Sequence, residues 1–241
     1  MKLFKLVYKP ETLTPMLALT FASAASVALV VVRVVWTDSA RGAYLIWNLF
    51  LAWLPLIFAL LACEAYRKES KIGWRFIGFA GAWLLFFPNA PYIFTDLIHL
   101  FFGLYTHVWI DMMLILTCAL TGMVLGFMSL YLMQSVVTRM FGRLASWIFI
   151  ALMAVFSGFG VYLGRVTRLN SWDVLLRPLK VFHGVGASLH QSVNYPSMAA
   201  FPILFAAFLF IAYLMLYALT HLPPTAQMAS PLATKQLNEP P

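Results

Sequence analysis

Charge is scarce in this chain, and acidic charge most of all. Of 241 residues only 10% are charged, and 8 Asp+Glu stand against 16 Lys+Arg, a formal net charge of +8. Soluble domains carry about 25% charged residues, so an ordinary water-facing surface is excluded. Cysteine is scarce too: Cys63 and Cys118 both lie inside apolar runs, lack metal-type spacing, and read as small core residues. No G-x-S-x-G elbow, no GxxxxGKS/T loop and no H-E-x-x-H pair occurs, so none of those three catalytic devices is indicated. Apolar and polar residues do not alternate strictly, which excludes the transmembrane β-barrel pattern.

What the chain has in abundance is grease. It is 63% hydrophobic with a mean hydropathy of +0.87, and several runs approach the roughly 20 apolar residues that span a bilayer as a helix. Six segments emerge, over 15–36, 43–63, 72–88, 108–133, 145–164 and 197–219. The fold class expected is an all-α polytopic membrane protein of about six transmembrane helices. A short re-entrant or interfacial helix over 92–106 and an outer interfacial segment over 168–192 complete it. The start MKLFKLVYK resembles the basic head of a signal peptide, but the run Met16–Val35 is longer than such a segment needs, so it reads as an uncleaved first span. Residues 1–14 then form a cytoplasmic N-terminal segment, 15–221 a single transmembrane helical domain, and 222–241 a Pro-rich, polar, disordered cytoplasmic tail.

The basic residues set the orientation. Lys2, Lys5 and Lys9, then Arg67, Lys68, Lys71 and Arg75, then Arg139 and Arg143 all fall on one side of a six-span chain. Basic short loops stay cytoplasmic, which puts both termini inside. The positive excess therefore serves orientation and anionic lipid headgroups rather than nucleic acid. Four cations break the rule, because Arg165, Arg168, Arg177 and Lys180 fall outside; Asp96, Asp111 and Asp173 are the carboxylates on that side that could compensate them. Arg33, near the outer end of the first span, is expected to snorkel to the headgroups.

Two polar blocks interrupt the grease on that outer side. In FFPNAPYIFTDLIHLFFG, residues 86–103, Pro88 and Pro91 lack backbone donors and end the third span. Asp96 and His99 stand three apart on one helical face, with Asn89 nearby as donor and acceptor. His107 and Asp111, four apart at the start of the fourth span, form a second such pair. Asp96 and His99 are candidate catalytic residues, since an Asp–His pair can act as an oriented base. Asp96, His99, His107 and Asp111 together could ligate Zn²⁺, Mn²⁺ or Fe, which leaves a divalent metal open as cofactor. A polar helix end bonded to loop backbone is the plain alternative. The second block, GRVTRLNSWDVLLRP over 164–178, offers Arg165, Arg168, Asn170, Trp172 and Asp173 for an anionic group or a partner, with Trp172 at headgroup depth. The spacings Gly122–Gly126 and Gly160–Gly164 suggest close helix packing. His183 and His190, seven apart, read as interfacial histidines facing water in preference to metal ligands, and Gly184 and Gly186 speak against a regular helix there.

The blocks Pro88-Asn89-Ala90-Pro91-Tyr92, Thr95-Asp96-Leu97, His99-Leu100, and Gly164-Arg165 with Arg168, Asn170-Ser171-Trp172-Asp173 and Pro178 resemble a bacterial membrane family, the domain of unknown function 1361. The resemblance covers most of the chain apart from both tails. It implies a polytopic bacterial membrane protein and brings no reaction with it; the location expected is the bacterial cytoplasmic (inner) membrane. Three functions remain open. One is a structural or lipid- or partner-binding polar face, with the bilayer and an anionic headgroup as partners. Another is a membrane enzyme, metal-dependent or not, acting on a lipid or lipid-linked anionic substrate. The third is a transporter, against which stand the lack of a mid-span carboxylate and of a clear inverted repeat. Residue types alone do not decide whether the chain is an enzyme.

Overall fold

The computed structural model describes residues 10–69, 72–102, 107–167, 173–194 and 196–221. Throughout these it is helical: α1 (Pro10–Thr37), a 3₁₀ turn (Ala40–Gly42), α2 (Tyr44–Glu69), α3 (Trp74–Phe86), α4 (Asn89–Tyr92), a 3₁₀ helix (Ile93–Phe102), α5 (Val108–Tyr162), a π-helical turn (Leu163–Thr167), α6 (Asp173–Leu176), α7 (Pro178–Asn194) and α8 (Pro196–Thr220). Among the described residues five stretches are long and apolar enough to cross a membrane, and one of them, Val108–Thr167, runs for 60 residues. The chain is a multi-pass, all-helical membrane protein.

That longest stretch is two passes. A straight helix of its length would extend about 90 Å, some three times the thickness of the hydrocarbon core. It folds back instead at Gly142, whose φ of 86° and ψ of 177° lie where side-chain-bearing residues are rarely found. Tyr217 of α8 meets both Tyr131 before the turn and Trp147 after it, with ring centroids 6.4 and 5.0 Å apart. Trp83 likewise donates to Ser129 Oγ at 3.1 Å on one arm and stacks on Phe149 of the other. The two arms of α5 are therefore antiparallel neighbours, and the fourth and fifth spans read from the sequence are those arms. The exposed Arg143 follows the turn directly.

α5 is the centre of the bundle, with α1, α2, the Asn89–Phe102 segment and α8 packed around it. Buried alanines, leucines and aromatics fill the interfaces, among them Leu45, Leu56, Ile93, Ile115, Trp83, Phe127 and Tyr213. Several hydroxyls along the helices are satisfied locally. Thr20, Ser26, Thr117 and Thr121 return their hydroxyls to carbonyls one turn back, and Tyr213 Oη donates to Gln134 Oε1 at 2.5 Å.

The third span changes character at its two prolines. Pro88 and Pro91 cannot donate, and the ladder tightens there: Ala90 N donates to Phe87 O at 3.2 Å, three residues back. The chain then runs on as a 3₁₀ helix, so the short element expected over 92–106 is Ile93–Phe102; residues 103–106 lie outside the described ones. Three glycines make room for this segment. A Cβ on Gly122 would stand 2.8 Å from Ile93 Cδ1 and 3.0 Å from Ala90 O, one on Gly126 2.9 Å from Ala90 Cβ, and one on Gly160 2.8 Å from Pro88 Cγ. At 1.5 Å per residue, Gly122 and Gly160 stand about 30 and 27 Å from the Gly142 turn. The prolines thus sit about one hydrocarbon thickness away from that turn, and the polar residues after them lie beyond, at the opposite end of the bundle.

Candidate functional site

At that end Asp96 is 1% exposed, and its carboxylate is taken up by two donors from distant helices. Arg165, on the π-helical turn that follows α5, gives Nη2 to Oδ1 at 2.6 Å, and Asn48 of α2 gives Nδ2 to Oδ2 at 3.0 Å. A buried carboxylate without such partners would be strongly destabilising. The arginine is held on several sides. Its Nε and Nη2 donate to Thr95 Oγ1 at 3.2 and 2.6 Å, while that hydroxyl donates to Tyr92 O at 2.7 Å. Its guanidinium carbon stands 4.6 Å from the centroid of the Tyr92 ring, in cation–π contact.

His99 completes the cluster. Its Nε2 lies 3.1 Å from Arg165 Nη1 and 3.7 Å from Asp96 Oδ1. The first distance is that of a hydrogen bond and the second is not. Since guanidinium only donates, Nε2 accepts, and the ring proton belongs on Nδ1. Tyr44 packs edge-on to this imidazole at 6.0 Å. The His99 side chain is 33% exposed and that of Arg165 20%, against 2% for Asp96. The carboxylate is buried, while the imidazole and the arginine side chain keep part of their surface exposed.

A second ion pair closes the same end on another side. Arg33 Nε and Nη2 donate to Asp111 Oδ1 and Oδ2 at 2.7 and 3.0 Å, a bidentate fork joining α1 to the first arm of α5. This corrects the expectation that Arg33 snorkels to headgroups: its side chain is turned inward, because a carboxylate faces it from α5. His107, exposed at the start of α5, lies 5.1 Å from the Trp36 ring. The two Asp/His pairs are thus not joined: Asp96 and His99 share Arg165, while Asp111 belongs to Arg33. Among the described residues no three His, Cys, Asp or Glu side chains stand close enough to hold a metal ion.

The other sequence candidates divide. Asn89 is half-buried in the proline turn. Asp173 is buried at the start of α6. Arg168, Asn170 and Trp172 lie outside the described residues. The regular helix doubted around Gly184 and Gly186 is present, as α7 runs unbroken through both. Asn48, Thr95 and Tyr92 are the members that sequence reasoning left out of the site. Asn48 had a signal, being a lone amide in the apolar run YLIWNLFLAWL; a polar residue within a span calls for a partner.

The site draws on three chain segments, around residues 48, 92–99 and 165, and a likeness over the body of the chain covers them all. No curated protein and no solved structure matches the chain. A family model does match, over residues 47–216, which takes in Asn48, Tyr92, Thr95, Asp96, His99 and Arg165 but leaves out Arg33 and Tyr44. The chain belongs to the family described as protein of unknown function DUF1361.

Proposed function

We propose that this protein binds an anionic headgroup at one face of the bacterial cytoplasmic membrane, through the open rim of the Asp96–Arg165 cluster. The basic inner loops make that face the external one, with both termini cytoplasmic. The observation that carries the reading is the contrast inside the cluster. Asp96 is buried and engaged by two donors, whereas among the described residues Arg165 keeps one Nη1 N–H beyond its four hydrogen bonds and the His99 side chain remains a third exposed. Two N–H groups, Arg165 Nη1 and His99 Nδ1, can then meet phosphate oxygens of a lipid or a lipid-linked molecule. Asp96 and Thr95 hold the guanidinium in place, and the same bonds fasten the broken third span to the end of the fifth.

The test is lipid retention. Native mass spectrometry of detergent-purified protein, titrated with phosphatidylglycerol and with phosphatidylcholine, should show tighter retention of the anionic lipid. Arg165→Lys loses the planar fork and His99→Gln the imidazole; each should lower that retention by about tenfold, the worth of one charge-assisted hydrogen bond. Equal retention of both lipids by all three proteins would refute the reading.

An enzyme acting on such a lipid is the second reading. It rests on one observation: an imidazole positioned by a guanidinium, beside a carboxylate, and accessible. Proton transfer by His99 would be its chemistry. A divalent metal in that role would have to displace Arg165 from Asp96. The readings part on His99→Gln, which under the enzymatic one abolishes turnover of a lipid-linked phosphate while the ligand is still retained.

A further inference from the structure

Two of the cations at this end are not consumed by carboxylates. Arg33 and Arg165 are paired with Asp111 and Asp96. Arg177 and Lys180 are exposed and make no ion pair among the described residues. Arg177 immediately precedes α7 and Lys180 lies in its first turn, in a helix that packs against both the π-helical turn and α8. α7 is therefore anchored to the ends of two spanning helices and cannot leave the level at which they end.

The three sides of α7 differ. Val181, Val185 and Ser188 are half-buried or buried and form the side turned to the protein. Leu179 and Phe182 are 75% and 74% exposed; three residues apart, they point about 60° from each other. Lys180 and His183, also exposed and three apart, occupy the neighbouring side. In water two large apolar side chains displayed together would be a liability. At a bilayer surface the same arrangement is that of an interfacial helix, with its apolar side in the acyl region and its cations among the headgroups.

We propose that α7 is a docking surface for the anionic phospholipids of its own leaflet. Leu179 and Phe182 enter the acyl boundary while Arg177 and Lys180 hold phosphates. Among the described cations that orientation disfavours on this side, Arg165 is neutralised inside the protein by Asp96, and Arg177 and Lys180 are neutralised by lipid. It goes beyond the binding site proposed above and involves none of its residues.

The experiment uses the full chain with Cys63→Ser and Cys118→Ala, carrying Phe182→Cys labelled with bimane and reconstituted into vesicles. Quenching is compared for phosphatidylglycerol and phosphatidylcholine bearing a nitroxide at the fifth acyl carbon, at equal mole fraction. The proposal expects quenching by both lipids, and a higher effective concentration of the glycerol lipid, by about fivefold for each cation near the surface. Arg177→Gln/Lys180→Gln should equalise the two lipids without abolishing quenching. A bimane unquenched by either lipid, or quenched equally by both in the parent protein, would overturn it. Because Arg165 and His99 are untouched, this failure is distinguishable from failure of the headgroup site.

Discussion

Replacing Arg165 with methionine orphans a carboxylate that has no route to water. The Asp96 side chain is 2% exposed, and the Asn48 amide at 3.0 Å would be its remaining donor. Removing one partner of a buried pair costs about 3–5 kcal/mol. The converse change is milder. In Asp96→Asn the arginine keeps Thr95, the Tyr92 face and some solvent, its side chain being 20% exposed, so the loss should be about 1–3 kcal/mol. The double variant Asp96→Leu/Arg165→Met removes both charges and should be more stable than Arg165→Met alone, because an apolar pair of similar volume carries no desolvation penalty. Reversible unfolding in mixed detergent and dodecyl sulfate micelles, followed by tryptophan fluorescence, measures all three. Arg143→Met, at the exposed Gly142 turn, is the control and should stay within about 0.5 kcal/mol of wild type. The reasoning fails if Arg165→Met costs under about 1 kcal/mol, or if the double variant is the least stable of the set.

The remaining predictions use the same assay. Arg33→Met should cost about 3–5 kcal/mol by orphaning Asp111, yet leave lipid retention by the folded fraction unchanged; a loss of retention would mean that the two ion pairs act as one site. Gly142→Ala should cost about 1–3 kcal/mol through backbone strain alone, because a Cβ there meets nothing within 4 Å; an unchanged midpoint would contradict the fold-back. Gly158→Ala drives a Cβ into the Pro202 carbonyl oxygen and Ala206, and should cost about 1–3 kcal/mol by prising α8 from α5.

Much of this architecture was legible in the sequence, because bilayer thickness sets span length and apolar runs record it directly. The prolines at 88 and 91 announced a broken third span, and the glycines at 122 and 126 announced close packing; the structure joins the two observations by seating the one on the other. Charge counting put the 86–103 and 164–178 blocks on one side, and the Arg165–Asp96 contact brings one residue of each to the same end of the bundle. Which carboxylate each arginine takes was not legible. Spacing along a helix relates residues three or four apart, whereas Arg33 to Asp111 and Arg165 to Asp96 are separated by 78 and 69 residues. The pairing depends on how helices rotate about their axes, which apolarity on all sides leaves unspecified. Asn48 was missed for the opposite reason: it neighbours no other polar residue in sequence and finds its role through Asp96 alone.

The central claim is that the rim formed by Arg165 and His99 receives a phosphate. It is tested most directly by dipolar recoupling between phosphorus and the guanidinium nitrogens, in protein with ¹⁵N-labelled arginine reconstituted with phosphatidylglycerol. Subtracting the spectrum of Arg165→Lys isolates the one residue. The account predicts dephasing that corresponds to a ³¹P–¹⁵N separation of about 4 Å, as a guanidinium donating to phosphate oxygens requires. A difference spectrum without dephasing, under conditions in which other arginines show it, would contradict the claim and leave the cluster as an ion-paired fastening alone.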